Sequence, residues 1–217
     1  MKHRHRNVVK KATNSSHGTS LFVSRDFFIC LILFLCICIG VALAFGIWSL
    51  GVWGVGSLQK ETRYDKIIIN AAKRNGIDPC LLKAVIWRES KFQVKCKGSK
   101  GEIGLMQIME NATVRDWEKA TNKKIRSVGI LYDPELNIEI GSWYLGRALE
   151  YWKDYRARET LALCEYNAGR TRAIGWKPLL PDQEMIESID ISSTRKYVDV
   201  ILEKRKEYTK TWNLKKK

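Results

Sequence analysis

The chain has 217 residues, 45% of them hydrophobic and 28% charged, with four prolines and a net charge of +15. That apolar share excludes a disordered polymer, and the length excludes a second large domain. His3, His5 and His17 are its three histidines and all lie in the N-terminal tail, and no Cys and His spacing matches a zinc site.

The tail, residues 1–26, carries Lys2, Arg4, Arg6, Lys10, Lys11 and Arg25 against the single acid Asp26. From Phe27 to Gln59 no side chain is charged, and Phe, Ile, Leu, Val and Trp dominate. About 20 apolar residues suffice to cross the hydrocarbon core, so residues 27–56 read as one transmembrane signal anchor, with Trp48 and Trp53 suited to an interfacial belt. Positive residues stay inside, which places the N-terminus in the cytoplasm and everything after Gln59 outside, with 57–62 a linker. A cleavable signal peptide ending at Ala42-Leu43-Ala44 is the competing reading, opposed by the apolar sequence that continues through Phe45, Ile47, Trp48 and Leu50.

Setting the tail aside leaves a charge of about +10 on the exported part. The compartment makes anionic polymers or the membrane surface its neighbours and excludes nucleic acid. Cys80, Cys96 and Cys164 lie in this part, an odd count that allows at most one internal disulfide, Cys80 and Cys96 being nearest in sequence.

Apolar residues in the exported part recur at helical spacing, and an all-α domain over 63–209 follows, with a basic tail at 210–217. A first helix is predicted from Arg63 to Arg74, with Tyr64, Ile67, Ile68 and Ala71 inward and Gly76 as its C-terminal cap. A second follows the turn Gly76-Ile77-Asp78-Pro79. A long helix begins at Pro134 behind Asp133 and buries Leu136, Ile140, Tyr144 and Ala148. Another runs from Glu159 to Gly169, and the last, from Ser192 or Ser193, carries Tyr197, Val198, Ile201 and Leu202.

In the second helix, Leu82, Val85, Ile86 and Glu89 fall at i, i+3, i+4 and i+7 and share one face. Glu89 therefore stands where the pattern asks for a hydrophobic side chain. If the face is buried, lost hydration raises the carboxyl's pKa towards the range useful to a general acid; if the helix frays near Ser90, Glu89 is solvated or pairs with Arg88 or Lys91.

Downstream lie Gly104-Leu105-Met106-Gln107, then Tyr166-Asn167-Ala168-Gly169, then Thr194-Arg195-Lys196-Tyr197-Val198. Each alone is a weak signal. With Glu89-Ser90 at their head, the ordered set resembles the lytic transglycosylases of the soluble type, peptidoglycan-cleaving enzymes with a goose-type lysozyme-like fold. The resemblance covers Tyr64 to Tyr208, and Asn75 to Leu82 and Asp133 to Ile138 agree with it. Four positions depart: Glu165 replaces a small residue, Glu110 a proline and Ser193 a glutamate, while Gly98-Ser99-Lys100 occupies a loop where many members place a substrate-orienting serine.

The resemblance implies an all-α, lysozyme-like domain with a catalytic groove and no cofactor or metal. Glu89 would be the acid and then the base that cleaves the bond between N-acetylmuramic acid and N-acetylglucosamine, leaving 1,6-anhydromuramoyl ends. Tyr197 would hold Glu89 by a hydrogen bond, and Ser90 would support the helix end. Met106, Gln107, Tyr166 and Asn167 would line the glycan groove. The partners implied are peptidoglycan strands and, through Phe27 to Gly56, the cytoplasmic membrane.

Ordinary glycoside hydrolysis uses two carboxyl groups, about 5 to 5.5 Å apart for retention or about 6.5 to 9.5 Å apart for inversion. No second acid is obvious beside Glu89. A goose-type lysozyme-like hydrolase would recruit one, with Glu102 and Glu165 the acids nearest the motifs. A catalytically silent, membrane-anchored wall-binding protein is the alternative of another class.

Overall fold

The structure, a computed structural model, describes residues 33–43 and 61–214, the side chains of residues 213 and 214 excepted. The basic tail, most of the expected anchor, the linker up to residue 60 and residues 215–217 lie outside the described residues. The chain divides into two units, Met1–Trp53 and Gly54–Lys217. In the first, α1 (33–43) is an exposed apolar helix. Among the described residues no helix is long and apolar enough to cross a membrane.

The second unit is helical: α2 (Asp65–Arg74), α3 (Pro79–Ser90), α4 (Arg115–Thr121), α5 (Pro134–Tyr151), α6 (Arg158–Ala168), α7 (Arg170–Trp176) and α8 (Ser192–Leu214). No strand occurs among the described residues, though isolated bridges join Lys97 to Ile103 and Ile103 to Ile108. Helix α2 begins at Asp65, two residues after its predicted start, and carries no side-chain cap at Tyr64. Its C-terminus closes through Gly76 at φ 64°, which lets the Ile77 amide return to the Ala72 carbonyl at 2.9 Å.

Helix α3 starts as its sequence requires, with Pro79 in the first turn and the Asp78 carboxylate accepting from the Cys80 amide at 3.0 Å. Asp133 does the same for α5, accepting from Leu136 N at 2.9 Å. In α5, Ile140 and Ala148 are buried as expected, whereas Leu136 and Tyr144 are only half-buried. The inward face is turned instead towards Asn137, Ile138, Gly141 and Leu145. That rotation brings the flat backbone of Gly141 against Met106, where a methyl group would lie 2.5 Å from Sδ.

The buried core joins α3 to α8 and sets α6 among α5, α7 and α8. Tyr197, Val198 and Ile201 of α8 are buried against it and Leu202 is half-buried. Polar ties fix the register. Arg205 of α8 donates to the capping Asp78 at 2.6 Å and also to Glu159 of α6. Lys83 of α3 is 4% exposed, paired with Asp65 at 2.5 Å and seated 5.0 Å from the Tyr208 ring centre. Cys80, Cys96 and Cys164 are all free thiols, so no disulfide staples this unit.

Candidate active site

Glu89 sits in the last turn of α3, one residue before the helix ends, and is half-buried. The chain turns away at once because Lys91 and Phe92 both take left-handed φ, 51° and 59°. Helix α8 brings up Tyr197, whose hydroxyl donates to Glu89 Oε1 at 2.5 Å. The Arg88 guanidinium lies over the Tyr197 ring, 5.3 Å from its centre.

Burial pushes the Glu89 carboxyl up to about 7, against the opposing pull of the Tyr197 hydrogen bond and the Arg88 charge, with the negative Glu102 adding to the rise. Burial beside Glu89 also drives the hydroxyls of Tyr197 and Tyr166 well above the ordinary phenol range. Both stay protonated donors. The site therefore holds one acid poised to give and retake a proton near neutrality.

The glycine turn follows. Gly104 takes φ 77°, which glycine adopts freely, and Gln107 takes a left-handed φ of 48°, held by bonds from its Nε2 to the carbonyls of Gly104 and Cys96, at 2.9 and 3.2 Å. Asn137 of α5 anchors this turn from behind. Its Oδ1 accepts from Met106 N at 2.8 Å, and its Nδ2 donates to the carbonyls of Ile103 and Leu131 at 2.9 and 2.8 Å. From α6, Tyr166 donates to the Met106 carbonyl at 2.8 Å and meets the edge of Tyr144 with ring centres 5.7 Å apart. Asn167 is exposed, its Oδ1 accepting from the buried Thr194 hydroxyl at 2.9 Å.

Glu89, Gln107, Tyr166 and Asn167 thus come together on one cavity of about 480 Å³, which Glu102 and Tyr144 also line. Tyr197 stands behind Glu89. One expected residue is placed differently. Met106 is 0% exposed, so its side chain packs on Gly141 and only its carbonyl serves the site, through Tyr166. Ser90 is buried and its hydroxyl bonds back to the Ile86 carbonyl at 3.2 Å, which occupies it within the helix.

Glu165 also borders the cavity, but its carboxylate is 1% exposed and fully engaged. Oε2 accepts from Trp152 Nε1 at 2.9 Å, and Oε1 accepts from Arg170 at 2.7 and 3.0 Å. An acid so tied is a structural anion. Tyr144, Asn137 and Thr194 were missed from sequence. Asn137 could have been noticed as a polar residue on the inner stripe of α5; Tyr144 was assigned to the core, and Thr194 bore no separate signal. Arg88, named from sequence as a pairing partner for a frayed Glu89, lies over the Tyr197 ring.

A profile of the family described as Transglycosylase SLT domain matches residues 66–187. The soluble lytic murein transglycosylase of Salmonella typhimurium is 29% identical over 143 residues, 64% of this chain and 22% of that protein. The membrane-bound lytic murein transglycosylase E of Buchnera aphidicola is 34% identical over 83 residues, 38% of each chain. Among solved structures, an inactive mutant of the lytic transglycosylase Slt from Pseudomonas aeruginosa superposes with a TM-score of 0.62 at 25% identity, covering 70% of this chain and 25% of that one. The chain spans about a fifth of the length of the first curated relatives it matches.

Proposed function

The chain belongs to the Transglycosylase SLT domain family, and from that premise we propose that it is a peptidoglycan lytic transglycosylase with Glu89 as its single acid and base. The observation that carries this reading is the Glu89 carboxyl, raised to about 7 by burial and held by the Tyr197 hydroxyl on the wall of a cavity. Neutral Glu89 gives its proton to the glycosidic oxygen as the bond from C1 of the N-acetylmuramoyl sugar breaks. The carboxylate left behind takes the proton from the C6 hydroxyl of that sugar as its oxygen closes on C1. One bond breaks and one forms, no water is consumed, and Glu89 returns to its starting state. Tyr197 fixes the carboxyl throughout, while Gln107, Tyr166 and Asn167 offer polar contacts to the glycan.

Hydrolysis by the same groove needs a second carboxylate to hold water; Glu165 is fully engaged by Trp152 and Arg170, which leaves Glu102, on the wall of the same cavity, as the one acid a hydrolase could recruit. Purified peptidoglycan digested by the full chain and weighed by mass spectrometry tests the reading. Anhydromuramoyl fragments, each lighter by one water than hydrolytic products, are expected. Reducing muramic ends would overturn it in favour of a hydrolase. If Glu89→Gln clears the wall as well as the parent, Glu89 is not the acid; if neither clears it, the wall-binding alternative stands.

The uncharged run over 27–56 supports a location in the cytoplasmic membrane, with the N-terminus inside and everything after Gln59 outside, within reach of nearby glycan. Membrane-bound transglycosylases among the relatives support that location. Carbonate extraction with protease protection in spheroplasts checks it: the chain should stay with the membrane, and only its exported unit should be digested.

A further inference from the structure

The hairpin ahead of the glycine turn places a second carboxylate on the cavity wall. The Gly98 amide bonds to the Glu102 carbonyl at 2.8 Å, and the Gly101 amide to the Gly98 carbonyl at 3.2 Å, which folds the Glu102 side chain back over Gly98. Glu102 Oε2 accepts from the Lys100 amide at 2.8 Å. Its Oε1 has no hydrogen-bond partner among the described residues. Gln107 arrives at the same place from the other side. Its Nε2 is spent on two backbone carbonyls, which leaves Oε1 as an acceptor.

Gly98 is what lets them meet. A methyl group there would lie 2.3 Å from Glu102 Oε2 and 2.8 Å from Gln107 Oε1, so any side chain at 98 would displace the carboxylate. Glu102 Oε2, which already accepts from Lys100, and Gln107 Oε1 are separated by no more than the sum of those distances, so the same carboxylate's unpartnered Oε1 and the Gln107 Oε1 are close enough for one N–H or O–H bearing group to meet both.

We propose that Glu102 and Gln107, brought together over Gly98, form an acceptor pair that binds an O–H or N–H donor of a sugar ring and positions the glycan against Glu89. This deepens the proposed function, resting on it for the identity of the substrate. An ionised acceptor strengthens such a bond about twofold over a neutral one, and Glu102 borders the same cavity as Glu89. Around Glu89 the other facing groups are Tyr197 from α8, Tyr166 from α6 and Arg88 on its own helix, and Glu102 is the one carboxylate among them. Its field helps keep Glu89 protonated.

The full chain in detergent, carrying Glu89→Gln so that binding is read without turnover, is titrated by calorimetry with a hexamer of β-1,4-linked N-acetylglucosamine and with the matching glucose hexamer. Adding Glu102→Ala should weaken Kd for the N-acetylglucosamine hexamer by about tenfold or more, as expected for losing a bond to a charged group. Glu102→Gln, which keeps an acceptor oxygen, should weaken it less. Gly98→Ala, which keeps the charge but displaces the carboxylate, should resemble Glu102→Ala. An equal cost in both hexamers assigns the donor to a hydroxyl; a cost confined to the acetylated one assigns it to the acetamido N–H. Unchanged Kd in Glu102→Ala and Glu102→Gln, or no binding of the acetylated hexamer by the Glu89→Gln protein, overturns the proposal. Failure of the acid and base reading would instead appear in the product masses, which this titration does not use.

Discussion

The hydroxyl of Tyr197 and the carboxylate of Glu89 meet at 2.5 Å although 108 residues separate them in sequence. The contact is the point at which the packing of α8 on α3 becomes chemistry, because it fixes one oxygen of the acid and leaves the other towards the cavity. A hydrogen bond to the charged form lowers a carboxyl's pKa, and here it opposes the larger effect of burial.

Tyr197→Phe removes that bond while preserving the packed ring. Glu89 should then rise further above 7, moving the alkaline limb of the rate profile to higher pH. Freed orientation should lower kcat by about tenfold to a hundredfold. A pH series on purified peptidoglycan, with a melting curve to show that the fold persists, checks both.

Glu89 also links activity to stability. Unfolded, its carboxyl ionises near 4.5; folded, near 7. The stability contributed by the neutral buried acid is thus complete below the lower value and is lost as pH rises through the higher one. Glu89→Gln keeps an acceptor for Tyr197 and cannot ionise, so at pH 8 it should be more stable than the parent by about 1–3 kcal/mol, a few degrees in Tm. Near pH 4 the two should melt together. Calorimetry at both values decides it, and an equal gap at both would show that ionisation is not the cause.

The helix carrying Glu89 could be read from sequence because its signals are local: Asp78 caps, Pro79 starts, and the apolar spacing orients the face. The same holds for Asp133 and Pro134 of α5. What could not be read depended on partners far along the chain. Helix α4 follows a π-turn at Glu110–Val114, and the seven-residue α7 begins directly after Gly169; both are too short for periodicity to register. Met106 was expected on the groove from the family resemblance, yet it is buried while Gln107, at left-handed φ, lines the cavity, a geometry that the spacing of residues does not announce.

Asn137 holds the glycine turn by three side-chain hydrogen bonds within a buried setting. Asn137→Ala would strip its partner from the Met106 amide and from the Leu131 carbonyl, the Ile103 carbonyl keeping the Ile108 amide at 3.1 Å, at a cost of about 2–3 kcal/mol. Gly104 presses on the same amide: a methyl group there would lie 2.4 Å from Asn137 Nδ2 on a backbone at φ 77°. Gly104→Ala should therefore be destabilising too, and the double variant should cost less than the sum of the two. Urea unfolding of the four proteins measures the coupling, and strict additivity would show that the two residues act independently.

Glu165 and Arg170 pair at 2.7 Å with the acid 1% and the base 35% exposed. Breaking a buried pair from the acid side strands the guanidinium and the Trp152 N–H, and partial solvation of Arg170 tempers the loss to about 2–3 kcal/mol for Glu165→Ala. Arg170→Ala leaves the buried carboxylate with Trp152 alone and should cost at least as much. Because the anion is structural, the product of Glu165→Ala should still be anhydromuramoyl fragments, with the rate lowered only as far as the fold is loosened. Chemical denaturation of both variants, read beside the masses of their digestion products, checks this. A variant of normal stability that no longer cleaves would return Glu165 to the chemistry.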